Sequence, residues 1–460
     1  MTIQDLFDYP LSTRSQPAVE AWSQTARAFL AHGASGSAHL GDALAADADF
    51  VIAQAARGLF CLLMARRELV APAQDALRQA EAAAARIGTT PREAAYVDAL
   101  SDWLAGRPSA AAARLDATLF DHPADALTLK LVHQIRFMVG DAAGMRQSIE
   151  RVIGHYGVDH PAAGYVHGCH AFALEETGAY RAAEFAGRRA LELAPDDAWG
   201  LHAVAHVYDM TGCPDVGLSW LQGRLGAFSH CNNFRFHVWW HKALFHLDLG
   251  EIAAVLDLYD AEIRAERTDD FRDIANGASL LARLEIEGVD VGCRWEELAE
   301  LCAARTDDGS LVFADLHYLM ALSAGGRNDG AEMLMSRMQS DATAGVCEMS
   351  RVAANPGVAL STALTAFRDG DYRAAHRAFA CARPRLQSIG GSHAQRDVFE
   401  RLAVEAAMRA GLLDDARRLL FERARKRGAI DRFATRRLET IETTLAAMTN
   451  SGEVRLQVVI

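Results

Sequence analysis

His202 and His206 form one pair and His237 and His241 another, each spaced four apart in a stretch that reads as helix. Residues four apart share one helix face, with β-carbons about 5–6 Å apart. That suits two imidazoles gripping one metal ion, or an acid and a base working on one substrate. The two stretches lie about one repeat unit apart, so folding can bring all four rings to one point. Three acids stand close in sequence: Glu175, Glu176 and Asp209. Imidazole with carboxylate suits Zn(II), Fe(II) or Mn(II) and leaves a coordination position for water, dioxygen or substrate. Ala203, Val204 and Ala205 separate the first pair, so it is not the HExxH protease pattern. A general base, or an extra ligand, would come from Glu175, Glu176 or Asp209. Three and four histidine ligands are both open. The metal-free alternative pairs His202 or His206 with Asp209 or Glu175 for acid/base work.

The elements that must position these groups are helices. Apolar residues recur with helical period almost throughout, and β-rich segments are nearly absent. The repeated unit is a helix, a Gly-containing turn and a second helix. Residues 164–197 fit the 34-residue tetratricopeptide pattern best. Gly178 and Tyr180 fall in its turn, Ala171, Ala183 and Ala190 at its small positions, and Pro195 at its end. Units starting at 198–212, 236–250, 356–382 and 397–424 follow the same frame, and weaker hairpins fit 34–66, 72–106, 110–155, 271–305 and 311–340. About ten hairpins predict an all-α, tetratricopeptide-like superhelix (an α-solenoid), closed or strongly curved around a central pocket. The division is an N-terminal segment and capping helix over 1–30, the repeat array over 31–448 and a tail over 449–460.

In such a unit, positions 2, 5, 9, 12 and 13 of the first helix line the concave face. This frame turns Glu175, Glu176, Trp199, His202, His206 and Asp209 into one groove, with His237, Trp240 and His241 from the unit after. Trp199 and Trp240 are then candidates to wall the pocket against a planar substrate, although tryptophans at helical spacing are more often core. Glu175 and Glu176 have a plain alternative as a solvated helix end. A second constellation, residues 390–397 (GGSHAQRD), ends one helix and starts another. Ser392 is a good N-cap. His393, Gln395 and Arg396 become substrate-orienting residues if the superhelix curves far enough, and Arg396 with Asp397 is otherwise a structural ion pair.

Half of the 460 residues are hydrophobic and 23% are charged, with 47 Lys+Arg against 60 Asp+Glu for a net charge of −13. That acidity argues against a general nucleic-acid or anionic-membrane binder. Eight cysteines include no CxxC pair and read as reduced thiols. The N-terminal MTIQDLFDYPLSTRSQ has no signal-peptide pattern, and the longest apolar run, 59–65, is too short to span a membrane. The expected location is the cytoplasm. No nucleophile elbow or phosphate-binding glycine loop is visible, so no nucleotide cofactor is expected.

Residues 202–210 (HAVAHVYDM), 236–249 (FHVWWHKALFHLDL) and 389–399 (IGGSHAQRDVF) resemble the tetratricopeptide repeat protein 38 family. PLST at 10–13, AFALEE at 171–176 and DAW at 197–199 agree, in order along nearly the whole chain. The resemblance implies an all-helical superhelix and brings no established activity. Asp209 departs from the family pattern, which usually has Glu there. Bacterial relatives occur beside genes for small heterocyclic natural products such as the azapteridine toxoflavin, which implies tailoring chemistry. The expected function is a metal-dependent enzyme, with His202, His206, His237 and His241 holding Fe(II) or Zn(II). It would act on a small polar substrate in the concave pocket, with oxidation ahead of hydrolysis. The alternatives are a non-catalytic scaffold binding a peptide or partner protein, and a small-molecule sensor. A protein partner on the repeat surface and a homodimer are compatible with any of these.

Overall fold

A computed structural model describes residues 3–450. Beyond residue 450, the tail expected over 449–460 lies outside the described residues. Helices occupy 75% of the described chain, and the β-contacts among described residues are two isolated bridges, Gln4 with Pro10 and Gly33 with Cys231. Side chains at the helix starts accept the backbone N–H groups that have no intrahelical partner. Asp125, Asp141, Asp197, Asp371 and Ser392 do this. Thr90 and Glu93 form a reciprocal capping box.

Successive helices pair antiparallel into a tetratricopeptide-like superhelix. Gln16–Leu30 pairs with Gly36–Ala46, Val51–Leu63 with Val70–Ile87, and Pro91–Leu104 with Pro108–Thr118. The hairpins expected over 34–66 and 72–106 therefore straddle neighbouring pairs and are corrected by one helix. The reason is the alanine face of Val70–Ile87: Ala73, Ala76, Ala80 and Ala83 are fully buried, which lets it lie close against Val51–Leu63. The region expected as one hairpin over 110–155 holds three helices. From Ala163–Glu176 with Tyr180–Leu193 onward, the pairing keeps the expected frame as far as Phe271–Ile286 with Arg294–Ala303.

The apolar interior divides into two large bodies and a small one. One gathers Phe7 to Phe172 with Trp199, another runs from Trp240 to Ile441, and the third lies between Ala198 and Phe245. The histidine-bearing helices Ala198–Met210 and Phe234–Leu249 contribute to more than one of these bodies, so the polar site occupies their seam.

The array closes on itself. Arg66 reaches Asp269 at 2.6 Å and Arg305 reaches Glu68 at 2.6 Å. The Gln387 amide donates to Gly140 O at 2.9 Å, Tyr180 donates to Lys426 O at 2.7 Å, and Arg427 donates to Asp209 O at 2.6 Å and to its carboxylate at 3.0 Å. Arg427 belongs to a buried ionic knot. Arg423 bridges Asp397 and Asp431 at 2.6 Å each, and Arg401 joins both acids. Burial disfavours the charged carboxylates, but the surrounding guanidiniums outweigh it and hold both acids below the usual range. Removing one partner of such a set leaves buried charge uncompensated. Asp431→Asn is expected to cost about 3–5 kcal/mol, read as a lower urea midpoint; a midpoint equal to wild type would contradict the clamp.

Candidate metal centre

Asp197 starts the helix that carries the first histidine pair. Its carboxylate is fully buried and accepts from Gly200 N at 3.1 Å. Burial pushes its pKa up to about 7, against the lowering effect of Lys130. Gly168 on the preceding helix faces this cap, and a Cβ there would overlap Asp197 Oδ2. That close approach sets Ala163–Glu176 beside Ala198–Met210 and brings Glu175 to His206.

The four rings converge. His206 Nε2 lies 2.8 Å from His202 Nε2, His237 Nε2 lies 3.0 Å from His202 Nε2, and His241 Nε2 lies 3.3 Å from His237 Nε2. One ligand atom from each ring falls within 4.8 Å of all the others. His202, His206 and His241 are buried and His237 is partly exposed. Burial holds His202 and His241 well below the usual histidine range and His237 at about 3, with the neighbouring rings adding to the effect. These three rings are neutral at ordinary pH. The Nδ1–H of His237 donates to Asn276 Oδ1 at 2.8 Å, so its Nε2 keeps a lone pair facing the cluster. His206 Nδ1 stands 3.5 Å from Glu175 Oε2 without a hydrogen bond between them.

Glu175, Glu176 and His206 also gather within ligand reach, but Glu176 is engaged. Arg396 lies 3.1 Å from its Oε2, and the His393 main-chain N–H donates to its Oε1 at 2.6 Å. Glu175 is fully buried, with neither oxygen hydrogen-bonded. Burial works against its charge, while His206 and His393 outweigh that and hold its carboxyl below the usual range.

The curvature brings residues 390–396 to this centre. His393 Nδ1 is 3.9 Å from Glu175 Oε1. Gly391 makes the turn at φ 74°, and a side chain there would collide with Phe313. Arg396 donates to Gly391 O and pairs with Glu176, and Gln395 closes a capping box with Ser392. Asp209 is not among the groups within ligand reach; its carboxylate takes Arg427 in the closing clamp.

The indoles pack on the rings. Trp199 lies 5.0 Å from His202, and Trp240 stacks on His237 at 5.2 Å. Both are buried. A cavity of about 900 Å³ lies nearby, lined by His32, Asn233 and Gln395 among others, and none of His202, His206, His237 or His241 lines it. Of the residues expected to orient substrate, Gln395 lines it and Trp199, Trp240, His393 and Arg396 do not. The expected polar pocket is corrected here: Phe29, Phe60, Phe137, Phe271 and Phe313 make its walls largely apolar. Asn233, one turn before His237 on the same helix face, lines it too.

Sequence reasoning missed Asn276 and His32. Asn276 shares one face of Phe271–Ile286 with Asp273, Ser279 and Arg283, a row of buried polar side chains that could have drawn attention to it. His32 stacks on Trp199 at 5.2 Å and on Phe234 at 4.5 Å. No spacing rule connects it to residues about two hundred positions away.

No family model matches the chain. Among solved structures it is similar to the crystal structure of yeast Tom70, at 12% identity and a TM-score of 0.34, over 96% of this chain and 91% of that one. It is also similar to Naa15/Naa10 bound to HypK-THB, at 13% identity and a TM-score of 0.25, over 94% of this chain and 68% of that one. Likenesses this distant carry nothing to the function.

The buried rings make the metal-free protein acid-sensitive. His237 titrates at about 3 in the fold against an ordinary 6.5, so the unfolded chain takes up protons first as pH falls. The contribution of the neutral ring is complete above about pH 6.5 and is lost progressively below it. The melting temperature of metal-stripped protein is expected to fall between about pH 7 and pH 5, and His237→Gln to flatten that slope. Equal slopes for the two proteins would contradict the assignment.

Proposed function

We propose that the chain is a metal-dependent enzyme in which His202, His206, His237 and His241 hold one divalent transition metal. The interior cavity then receives a small substrate. The convergence of four imidazole nitrogens within 4.8 Å carries this reading. Lone pairs aimed at one point repel; a cation between them turns that repulsion into bonds. Two nitrogens each ~2.0–2.1 Å from one ion stand roughly 3.3 Å apart at tetrahedral angles and roughly 2.9 Å apart at right angles. The separations of 2.8, 3.0 and 3.3 Å lie close to these values.

Imidazole donors suit Fe(II) and Zn(II), and either ion supplies a Lewis acid, with a redox couple in the case of iron. The chain's own residues do the rest. Asn276 holds His237 in the tautomer that presents Nε2. Glu175, unbonded and buried beside His206, is the proton acceptor of the site. The partly exposed edge of His237 is where a small molecule would meet the centre. Oxidative tailoring of a heterocyclic natural product is the preferred reaction and hydrolysis the second, a preference that rests only on the natural-product genes beside bacterial proteins this chain resembles. Eight unpaired cysteines support a cytoplasmic setting, and no helix among the described residues is long and apolar enough to cross a membrane.

The second reading is a non-catalytic scaffold. The helical-repeat architecture supports it, since solenoids of this kind present extended binding surfaces. So does an outer depression where Phe421 and Ile430 stand 49% and 53% exposed, an anchor for a peptide or partner protein.

Elemental analysis after anaerobic loading with Fe(II) and, separately, with Zn(II) decides between them. The expected result is one ion per chain, abolished by His202→Ala and by His241→Ala. Asn276→Ala is expected to weaken metal affinity about 10–100-fold without removing a ligand. Wild-type protein that retains neither metal overturns the enzyme reading and leaves the scaffold.

A further inference from the structure

One of the basic residues lining the largely apolar cavity has no carboxylate of the described residues within ion-pair distance. Four basic residues line it: Arg57, Arg66, Lys130 and Arg272. Arg57 pairs with Asp75, Arg66 with Asp269 and Arg272 with Asp270. Among the described residues, Lys130 has no ion-pair partner within salt-bridge distance, although it is only 1% exposed. Its Nζ lies 4.5 Å over the Trp199 ring, with no oxygen acceptor in hydrogen-bond reach. Behind it are the Cys169 thiol and the buried Asp197, whose carboxylate caps the next helix. A buried ammonium is costly unless something anionic or hydrogen-bonding completes it.

Two further donors flank it. Gln134 follows Lys130 by one helical turn on Ala126–Met138, so both project from one face. Its Nε2 is buried and unbonded, as is His32 Nε2. His32 and Lys130 lie against the same Trp199 ring. His32 is held at φ 57° by its carbonyl, which accepts from Asn232 N at 2.8 Å. All three nitrogens belong to residues that line the cavity. Opposite them the walls are hydrocarbon, with the stacked pair Phe29 and Phe60 at 4.7 Å together with Met64 and Phe313.

We propose that this cavity binds a carboxylic acid with an apolar body, its carboxylate received by Lys130 Nζ, Gln134 Nε2 and His32 Nε2. This names the substrate class for the metal centre and rests on the enzyme reading for its purpose, though not for the binding itself. His32 connects the two sites. It stacks on Phe234, whose ring lies 5.2 Å from His202 and 5.7 Å from His237. A molecule anchored at Lys130 therefore has its head one aromatic layer from the histidines.

The test is fluorescence titration of the full chain with dansyl-labelled undecanoic acid and with its methyl ester, metal content being measured on the same samples. The acid is expected to bind at least about tenfold more tightly than the ester, as a charge-assisted contact requires. Lys130→Met keeps the length of the side chain and is expected to erase that difference while leaving ester binding unchanged. Gly41→Leu adds bulk at the cavity wall where a Cβ meets nothing within 4 Å, and is expected to weaken both ligands. If Lys130→Met fails to fold, Gln134→Leu serves in its place, with the acid alone weakened. Equal binding of acid and ester by wild type, or binding of neither, overturns the proposal. Metal-loaded protein that ignores the acid sinks this inference alone, whereas protein that retains neither Fe(II) nor Zn(II) after loading yet binds the acid keeps it and sinks the metal centre.

Discussion

Arg427, near the end of the array, grips Asp209 in its middle, and most of what is distinctive in this molecule depends on that closure. A row of helical hairpins left open would expose its concave face and keep residues 175–176, 202–241 and 390–396 apart. The knot of Asp397, Asp431, Arg401, Arg423 and Arg427 is buried, so its charges stabilise only when all are present. It acts as a geometric lock: the ring shuts with one register or leaves charge unpaired.

The closed ring creates an interior that two apolar bodies fill incompletely, and the histidines stand where those bodies meet. Low dielectric there has two effects. It keeps His202, His237 and His241 neutral, which is the form that binds metal. It also strengthens the hydrogen bond by which Asn276 sets the direction of His237 from outside the cluster. The same burial leaves Lys130 without a carboxylate in ion-pair contact among the described residues, at the other end of an aromatic layer made by His32, Trp199 and Phe234.

Much of this was legible in the chain. The period of apolar residues, the Gly178–Tyr180 turn and the small residues at 171, 183 and 190 predicted hairpins, and the i, i+4 spacing predicted that His202 shares a face with His206 and His237 with His241. Side chains on one helix obey the helix's own geometry, so local sequence suffices for such statements. The N-terminal hairpins were displaced by one helix because a run of alternating helices has no intrinsic start. Which neighbour a helix prefers is decided by matching of faces, as the alanines of Val70–Ile87 show.

The meeting of the two histidine pairs, the arrival of His393 at Glu175, the diversion of Asp209 and Arg396 into ion pairs and the largely apolar character of the cavity belong to the tertiary structure alone. A small change in the angle between successive hairpins, summed along the array, moves a distant residue by many ångströms, and no local pattern encodes that sum. The sequence by itself determined the helices, their faces and the donor atoms each face carries. The superhelical closure decided which of those donors meet, because distance in a solenoid is set by accumulated curvature and not by separation along the chain.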